Sequence, residues 1–169
     1  YPATDERRGY FSWQCNTDGS KKGNTPASDG EEYFVMALMF ASGRWGDGEG
    51  IFNYSHEANY ILEMCDEKPA KDVNPYSSYT PLFNPTEMQV VFVPYASAAK
   101  FTDPSYHLPA FYQLWSLWAD SNNDFYAGLA AKSRSMWEKF ANPTTGLMPD
   151  YANFDGTPHT GDGDHSGFL

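Results

Sequence analysis

The sequence is poor in cysteine, in basic residues and in long apolar runs. Its 169 residues include two cysteines, and 11 Lys and Arg residues stand against 22 Asp and Glu residues, which gives a net charge of -11. A nucleic-acid-binding protein needs basic surface to displace counterions, so this charge disfavours nucleic acid as a partner. It disfavours an anionic membrane surface for the same reason. No run approaches the roughly 18 apolar residues that a membrane-spanning helix needs.

The cysteines and the first residue say little about where the protein works. Cys15 and Cys65 lack a CxxC motif and zinc-ligand spacing to histidine, so a structural zinc site is disfavoured. They would pair only in an oxidising compartment, and we expect two free, buried thiols instead. The chain begins with Tyr1 and shows no signal-peptide pattern, so we expect an N-terminus that was processed, truncated or left out. The compartment stays open between bacterial periplasm, cell exterior and cytoplasm.

Aromatic and acidic side chains are abundant. Tyr, Phe and Trp make up 17% of the residues, beside the excess of carboxylates. A carbohydrate site needs both, because rings stack on sugar faces and carboxylates hold sugar hydroxyls. A large aromatic core produces the same composition, so composition alone leaves both interpretations open.

Apolar residues at helical spacing, with capping and stop signals, predict a mostly helical chain. The first helix follows the capping-box pattern of Ser28 and Glu31. Its predicted apolar stripe is Tyr33, Phe34, Met36, Ala37, Phe40 and Ala41. We expect helices over 28–43, 56–66, 109–119 and 121–140, an irregular loop over 67–87 and a short strand within 88–95. Helix pairs joined by long loops, with one short β segment, are typical of part of an all-α toroid.

Asp29 is the first candidate for chemistry. It precedes the backbone N–H groups of the first predicted helix, where those donors and the helix dipole favour an ionised carboxylate. Such a carboxylate accepts hydrogen bonds from sugar hydroxyls. A plain N-terminal cap is the more common role of an acidic residue here, and both roles stay open on this pattern.

The segment DPSYHLPAFYQ at 103–113 gathers Tyr106, His107 and Tyr112 at a loop-to-helix junction between two prolines. Prolines restrict the backbone and fix where these side chains point, which suits a binding site. Tyr106 could hold a water or a sugar hydroxyl, and is equally explained as a core tyrosine with a satisfied hydroxyl. A histidine beside a helix start is more often a hydrogen-bonded structural residue than a catalytic one.

Trp13, in the segment GYFSW, is a candidate platform for a sugar ring or, as readily, a buried tryptophan. The acidic turns at 47–49 and 161–164 suggest calcium loops, but neither has the ligand spacing of an EF-hand, so we expect no metal. The sequence has no nucleophile elbow, P-loop, HExxH or dinucleotide motif, so we expect no cofactor.

Three segments together produce a family resemblance. They are ASDGEEYFVMALMFASGRWGDGEGIFNYS, FTDPSYHLPAFYQLWSLWA and PDYANFDGTP, in this order. From about Gly9 to its C-terminus the chain resembles glycoside hydrolase family 8, and within it most closely the bacterial reducing-end xylose-releasing exo-oligoxylanases. The resemblance implies part of an (α/α)6 barrel and an inverting hydrolase of β-1,4-linked sugars, with xylo-oligosaccharide as the expected substrate.

The resemblance also implies roles for single residues. Asp29 corresponds to the family's carboxylate that binds the sugar at the −1 subsite and supports its distorted ring. Tyr106 matches the tyrosine that helps to hold the nucleophilic water, and Trp13 matches a cleft aromatic. We include His107 and Tyr112 among the expected substrate contacts.

By the same resemblance, the family's general acid lies before Tyr1 and its general base lies beyond Leu169. Residues 1–169 would then be a partial catalytic domain that lacks the N- and C-terminal parts of the barrel. We expect the isolated chain to be inactive and to associate with the missing segments of its own domain. The alternatives are the same fold acting on β-1,4-glucan or chitosan, and a sugar-binding protein without catalysis.

Overall fold

The structure is a computed structural model that describes residues 1–67 and 70–160. Its secondary structure is mainly helical, as predicted, and groups into two compact units. The first unit comprises residues 1–82 and 93–96. The second comprises residues 83–92 and the described residues from Ser97 onward.

The first unit contains two long helices that pack against each other. Helix α1 is Ser28–Trp45, α2 is Tyr54–Glu67 and the short α3 is Ala70–Val73, with a 3-10 turn at Gly50–Phe52 before α2. The predicted apolar stripe of α2 is confirmed, because Ala58, Ile61, Leu62 and Cys65 are buried.

Helix α1 differs from the prediction at both ends. The extended backbone of Ala27, with φ −132° and ψ 133°, takes the N-cap position, and Ser28 is buried inside the first turn. The predicted capping box with Ser28 as the cap and Glu31 as its partner is therefore wrong. The helix also continues two residues further than predicted, to Trp45, and the residue after it, Gly46, has a φ of +78° that suits a C-cap.

The buried face of α1 agrees with the prediction only in part. Met36 and Ala41 of the predicted stripe are buried, whereas Tyr33, Phe34 and Phe40 are 56%, 51% and 54% exposed. The helix is apolar on more than one face, so the spacing of apolar residues could not select the face that the first unit buries.

The second unit contains two helices and a small hairpin. Helix α4 is Pro109–Trp118 and α5 is Asn123–Phe140, while strand β1, Phe83–Asn84, pairs antiparallel with β2, Gln89–Val90. The predicted bounds of both helices are confirmed to within two residues, because prolines mark the start of α4 and follow the end of α5. The predicted strand within 88–95 is confirmed for two residues. The loop predicted over 67–87 is wrong in part, since it contains α3 and β1.

The core of the second unit lies between α4 and α5, which pack against each other. Its members are each at most 1% exposed, and they are Trp115, Tyr126, Leu129, Met136 and Phe140. This packing fixes α4, which contains the candidate residue Tyr112 and closely follows Tyr106 and His107.

Cys15 and Cys65 do not form a disulfide, as predicted, but they differ in burial. Cys65 is buried in α2, whereas Cys15 is exposed, so the expected burial of Cys15 is wrong. Cys15 lies in a surface hairpin, where it bridges to Lys21 and the next N–H, of Asn16, donates to Ser20 O at 2.8 Å.

Candidate active site

Asp29 is the second residue of α1, and its carboxylate does not cap the helix. Ala27 occupies the cap position, and within residues 1–67 and 70–160 no group hydrogen-bonds or ion-pairs with the Asp29 side chain. The side chain is half-buried. It lies in the first turn, where the backbone N–H groups and the helix dipole favour a negative charge. Asp29 is therefore a carboxylate that can accept hydrogen bonds from a ligand.

The segment 9–15 is tied to the same end of α1. The Phe11 N–H donates to Glu31 Oε1 at 2.7 Å, and the Phe11 ring packs on Phe34 with 4.5 Å between the ring centroids. Glu31 is 1% exposed. Its carboxylate therefore joins two backbone segments, and the sequence offered no signal for a partner so far along the chain.

Trp13 is exposed, which favours the platform interpretation over the buried one. The residue is 58% exposed, and the backbone N–H of Trp13 donates to Thr25 O at 3.0 Å. The indole lies directly against Gly23, where an added Cβ would stand 2.2 Å from Trp13 Nε1. The Ser12 hydroxyl donates to Gly23 O at 2.7 Å, so the segment that contains Trp13 is also bonded to the segment that contains Gly23.

Tyr106 ends a 3-10 turn, Pro104–Tyr106, in front of α4. The Asp103 carboxylate starts this turn by accepting hydrogen bonds from the Ser105 N–H at 2.8 Å and from its hydroxyl at 2.7 Å. The Tyr106 ring is half-buried and lies nearly parallel to Phe92, with 6.0 Å between centroids and 18° between planes.

His107 is buried, and both of its ring nitrogens have partners. Nε2 lies 3.0 Å from Thr102 Oγ1 and Nδ1 lies 3.0 Å from Ser133 Oγ, so the imidazole links the start of α4 to α5. Burial lowers the pKa of His107 to about 4, which keeps the ring neutral at neutral pH. With the side chain 1% exposed, this geometry favours the structural role over the expected substrate contact.

Tyr112 is likewise a structural residue in this geometry. Its side chain is 0% exposed, and its hydroxyl donates to Tyr106 O at 3.2 Å. Its ring meets the edge of Phe83 with 5.8 Å between centroids. The expected sugar contact needs an accessible side chain, so Tyr112 acts on the candidate site through the backbone of Tyr106.

The candidate residues are divided between the two units. Asp29 and Trp13 belong to the first unit, on segments that the Phe11–Glu31 hydrogen bond holds together. Tyr106 belongs to the second unit, with His107 and Tyr112 as its buried supports.

The acidic turn at 47–49 has a structural use. Asp47 accepts hydrogen bonds from the Ser55 N–H at 2.8 Å and the Ser42 hydroxyl at 3.0 Å, so it joins the end of α1 to the start of α2. The hydrogen bond from the Ser55 backbone lowers the pKa of Asp47. No cluster of potential metal ligands occurs in the described part of the chain, and the turn at 161–164 lies outside it.

The second unit also has a pocket that the sequence did not predict. Its volume is about 590 Å³, and its mostly apolar wall includes Phe111, Trp137 and Met148, with Asp103 and Asp150 also among the lining residues. These residues are scattered over the sequence, so no local pattern signals the pocket. No helix among the described residues is long and apolar enough to cross a membrane.

Comparison with known proteins adds a family context to this geometry. The family model for glycosyl hydrolases family 8 matches residues 4–166. A reducing-end xylose-releasing exo-oligoxylanase from Halalkalibacterium halodurans is 44% identical over 153 residues, which cover 89% of this chain and 37% of the relative. Endoglucanase 2 from Ruminiclostridium josui is 31% identical over 159 residues, which cover 92% of this chain and 31% of the relative.

The structural comparison agrees with the sequence comparison. The solved structure of Rex8A from Paenibacillus barcinonensis complexed with xylose is 40% identical, with a TM-score of 0.81 over 90% of this chain and 38% of that chain. The chain therefore spans less than half the length of the relatives that it matches. The likeness confirms the predicted fold class, part of an (α/α)6 barrel.

Proposed function

The chain belongs to glycosyl hydrolase family 8, and from that premise we propose that it is part of an inverting glycosidase that cleaves β-1,4-xylosidic bonds in xylo-oligosaccharides. The observation that supports this substrate is the higher identity to an exo-oligoxylanase than to an endoglucanase. Since the chain spans a minor part of those relatives, the proposal concerns the activity of the whole protein.

Inverting hydrolysis needs two carboxyl groups about 6.5–9.5 Å apart. One protonates the leaving glycosidic oxygen as the C1–O bond breaks. The other takes a proton from the water that bonds to C1 on the opposite face. We place both groups in parts of the domain outside residues 1–169, so the isolated chain should not hydrolyse xylo-oligosaccharides.

Two carboxylates of this chain, Glu31 and Asp155, already accept hydrogen bonds from other residues, which supports this placement. Glu31 is buried and bonded to the Phe11 N–H, and Asp155 accepts hydrogen bonds from the Thr157 N–H at 2.9 Å and from its hydroxyl at 2.7 Å. Groups that stabilise the fold in this way are poorly suited to exchange protons with a substrate.

Asp29 is the proposed sugar-binding carboxylate at the −1 subsite. Its half-buried side chain is unbonded among the described residues and lies in the first turn of α1, beside the backbone N–H groups. An ionised acceptor makes stronger hydrogen bonds to hydroxyls than a neutral one. It can therefore hold a sugar ring that is distorted toward the oxocarbenium-like transition state.

Tyr106 and Trp13 complete the proposed contacts. Tyr106 would bind the nucleophilic water through its hydroxyl. The Asp103 turn and the Tyr112 hydroxyl hold the main chain of Tyr106 in place, which helps to keep the Tyr106 hydroxyl in position for this role. Trp13 would offer an exposed indole face to a sugar ring. We do not assign substrate contacts to His107 or Tyr112.

The second candidate substrate is β-1,4-glucan. The observation in its favour is the 31% identity to an endoglucanase over nearly the whole chain. Glucose differs from xylose by a hydroxymethyl group at C5, so the two substrates differ in the space that each subsite must provide.

Proton NMR of the anomeric signals tests both candidates. The protein expressed from the complete reading frame should convert xylotetraose with the α-anomer at the new reducing end appearing first, and residues 1–169 alone should not. Early β-anomer would contradict inversion. Cleavage of cellotetraose but not xylotetraose would replace the first substrate by the second, and tight binding of either without cleavage would indicate a sugar-binding protein.

A further inference from the structure

The backbone of Tyr106 is held at three points within the second unit. Its N–H donates to Asp103 O at 3.0 Å, and its carbonyl accepts the Tyr112 hydroxyl at 3.2 Å. Pro104 begins the 3-10 turn, which restricts the main chain further. With the backbone held, rotation about the Cα–Cβ bond is the torsion that displaces the Tyr106 hydroxyl oxygen, because that oxygen lies on the axis of the Cβ–Cγ bond.

The Tyr106 ring continues a series of nearly parallel rings. Phe92 lies 6.0 Å from Tyr106 at 18°, Phe101 lies 5.2 Å from Phe92 at 23°, and His159 lies 4.0 Å from Phe101 at 7°. The Tyr106–Phe92 and Phe92–Phe101 spacings are those of offset-stacked aromatic pairs. We call these four rings the Tyr106 ladder.

The two inner rings of the Tyr106 ladder, Phe92 and Phe101, are held by further contacts. Phe101 is 2% exposed, and its carbonyl accepts the Phe92 N–H at 2.9 Å, so these two rungs are joined by backbone as well as by rings. Tyr151 packs on both of them, with centroid distances of 4.4 Å and 5.3 Å. The Asn153 amide oxygen lies 2.7 Å from His159 Nδ1 and fixes the last ring.

We propose that Phe92 is a positioning residue, which restricts rotation of the Tyr106 ring about the Cα–Cβ bond and thereby sets the place of the water that the Tyr106 hydroxyl holds. The inference rests on the proposed function of Tyr106. A rotation about the Cα–Cβ bond moves the hydroxyl further than any other atom of the ring. Because a misplacement of about 1 Å can cost about 10²-fold in rate, a flat neighbour that restricts this rotation matters for turnover.

Phe92→Leu and Phe92→Tyr in the protein from the complete reading frame test the proposal. Leucine removes the flat face, so kcat on xylotetraose should fall roughly 10- to 100-fold while KM changes less than about threefold. Phe92→Tyr keeps the flat ring, so its kcat should stay close to that of the wild-type protein. Phe125→Leu is the matched control, because Phe125 is another half-buried ring of the same unit and packs on Phe83 and Tyr126. It should leave kcat unchanged.

Carbon-13 NMR of labelled tyrosine rings provides a readout that needs no turnover. The Tyr106 signal, assigned by its loss in Tyr106→Phe, should shift and show faster ring motion in Phe92→Leu but not in Phe125→Leu. Should Phe92→Leu fail to fold, Phe92→Met keeps more of the side-chain volume without a flat ring and is measured in its place.

The outcomes separate the two proposals. An unchanged Tyr106 signal, or a kcat in Phe92→Leu equal to that in Phe125→Leu, would overturn the positioning role while leaving the xylosidase proposal intact. A wild-type protein without xylosidase activity would remove the proposed function. The NMR comparison would then still decide whether Phe92 fixes the Tyr106 ring.

Discussion

The N–H of Phe11 donates a hydrogen bond of 2.7 Å to the carboxylate of Glu31, which is 1% exposed. The bond joins the segment that contains Trp13 to the first turns of α1, where Asp29 lies. Two candidate sugar contacts of the first unit thus share one buried anchor, although 20 residues separate the bonded groups.

Removal of this anchor should destabilise the protein. Glu31→Ala leaves the Phe11 N–H without its acceptor, and an unpaired buried donor costs roughly 1–3 kcal/mol. Glu31→Gln keeps an acceptor oxygen of similar reach and should cost less. Urea unfolding of the two variants checks the difference, and equal losses in both would show that the hydrogen bond is not the reason.

Asp29→Asn should lower kcat/KM on xylotetraose by about 10²-fold or more, because the variant loses a charged acceptor for the distorted sugar. Asp124→Asn is the matched control, since Asp124 is also the second residue of its helix, α5, and is exposed. Both variants lose a favourable charge at a helix start, worth about 0.3–1 kcal/mol of stability. Equal activity in the two variants would contradict the assignment of Asp29.

Gly23→Ala should displace the Trp13 indole, because the new Cβ would stand 2.2 Å from Trp13 Nε1. We expect KM for xylotetraose to rise several-fold, as in Trp13→Ala, while Trp13→Phe keeps a stacking ring and has a smaller effect. Steady-state kinetics measures KM in each variant, and tryptophan fluorescence follows the displacement of the indole.

Gly43→Ala controls for the change of residue type. Nothing lies within 4 Å of the Cβ that Gly43 would gain, and Gly43 is inside α1. This variant should keep its KM and gain up to about 1 kcal/mol of stability. A normal KM in Gly23→Ala would remove Trp13 from the proposed contacts.

His107 should make stability depend on pH. Its pKa is about 4 in the folded protein and about 6.5 when unfolded, so below pH 6.5 the unfolded chain binds the proton first. The free energy of unfolding should therefore fall as pH drops from 6.5 toward 4, by about 3 kcal/mol from this group. His107→Gln should flatten that dependence in urea unfolding between pH 7.5 and 4.5.

His56→Gln is the control for the pH experiment, because His56 is exposed on α2. Comparison of the two variants separates the effect of losing the buried imidazole from that of the change from histidine to glutamine. An unaltered pH dependence in His107→Gln would mean that the buried imidazole is not the group that titrates.

The sequence predicted the bounds of the helices better than the faces that they bury. Pro109 and the Asn142–Pro143 pair are local signals, so α4 and α5 were placed within two residues. The buried face of α1 was not predictable, because its residues are apolar on more than one face and the choice depends on what packs there.

In the candidate site, too, local motifs identified residues, whereas contacts between distant residues were not predictable. Asp29, Trp13 and Tyr106 were singled out by local motifs together with a family resemblance, and their accessibility fits the predicted roles, which stay predictions. The burial of His107 depends on Ser133, 26 residues away, and could not be predicted from the segment around it. Contacts of that range depend on tertiary packing, which a local pattern does not encode.

The bonds of Asp47 have a consequence for how the chain folds. Its partners Ser42 and Ser55 lie 5 and 8 residues away, so the contacts that join α1 to α2 require only short loops to close. Loops of that length close in about 10–100 ns, far faster than distant segments meet. The α1–α2 hairpin is therefore suited to form early, as a local scaffold on which the segment that contains Trp13 docks afterwards.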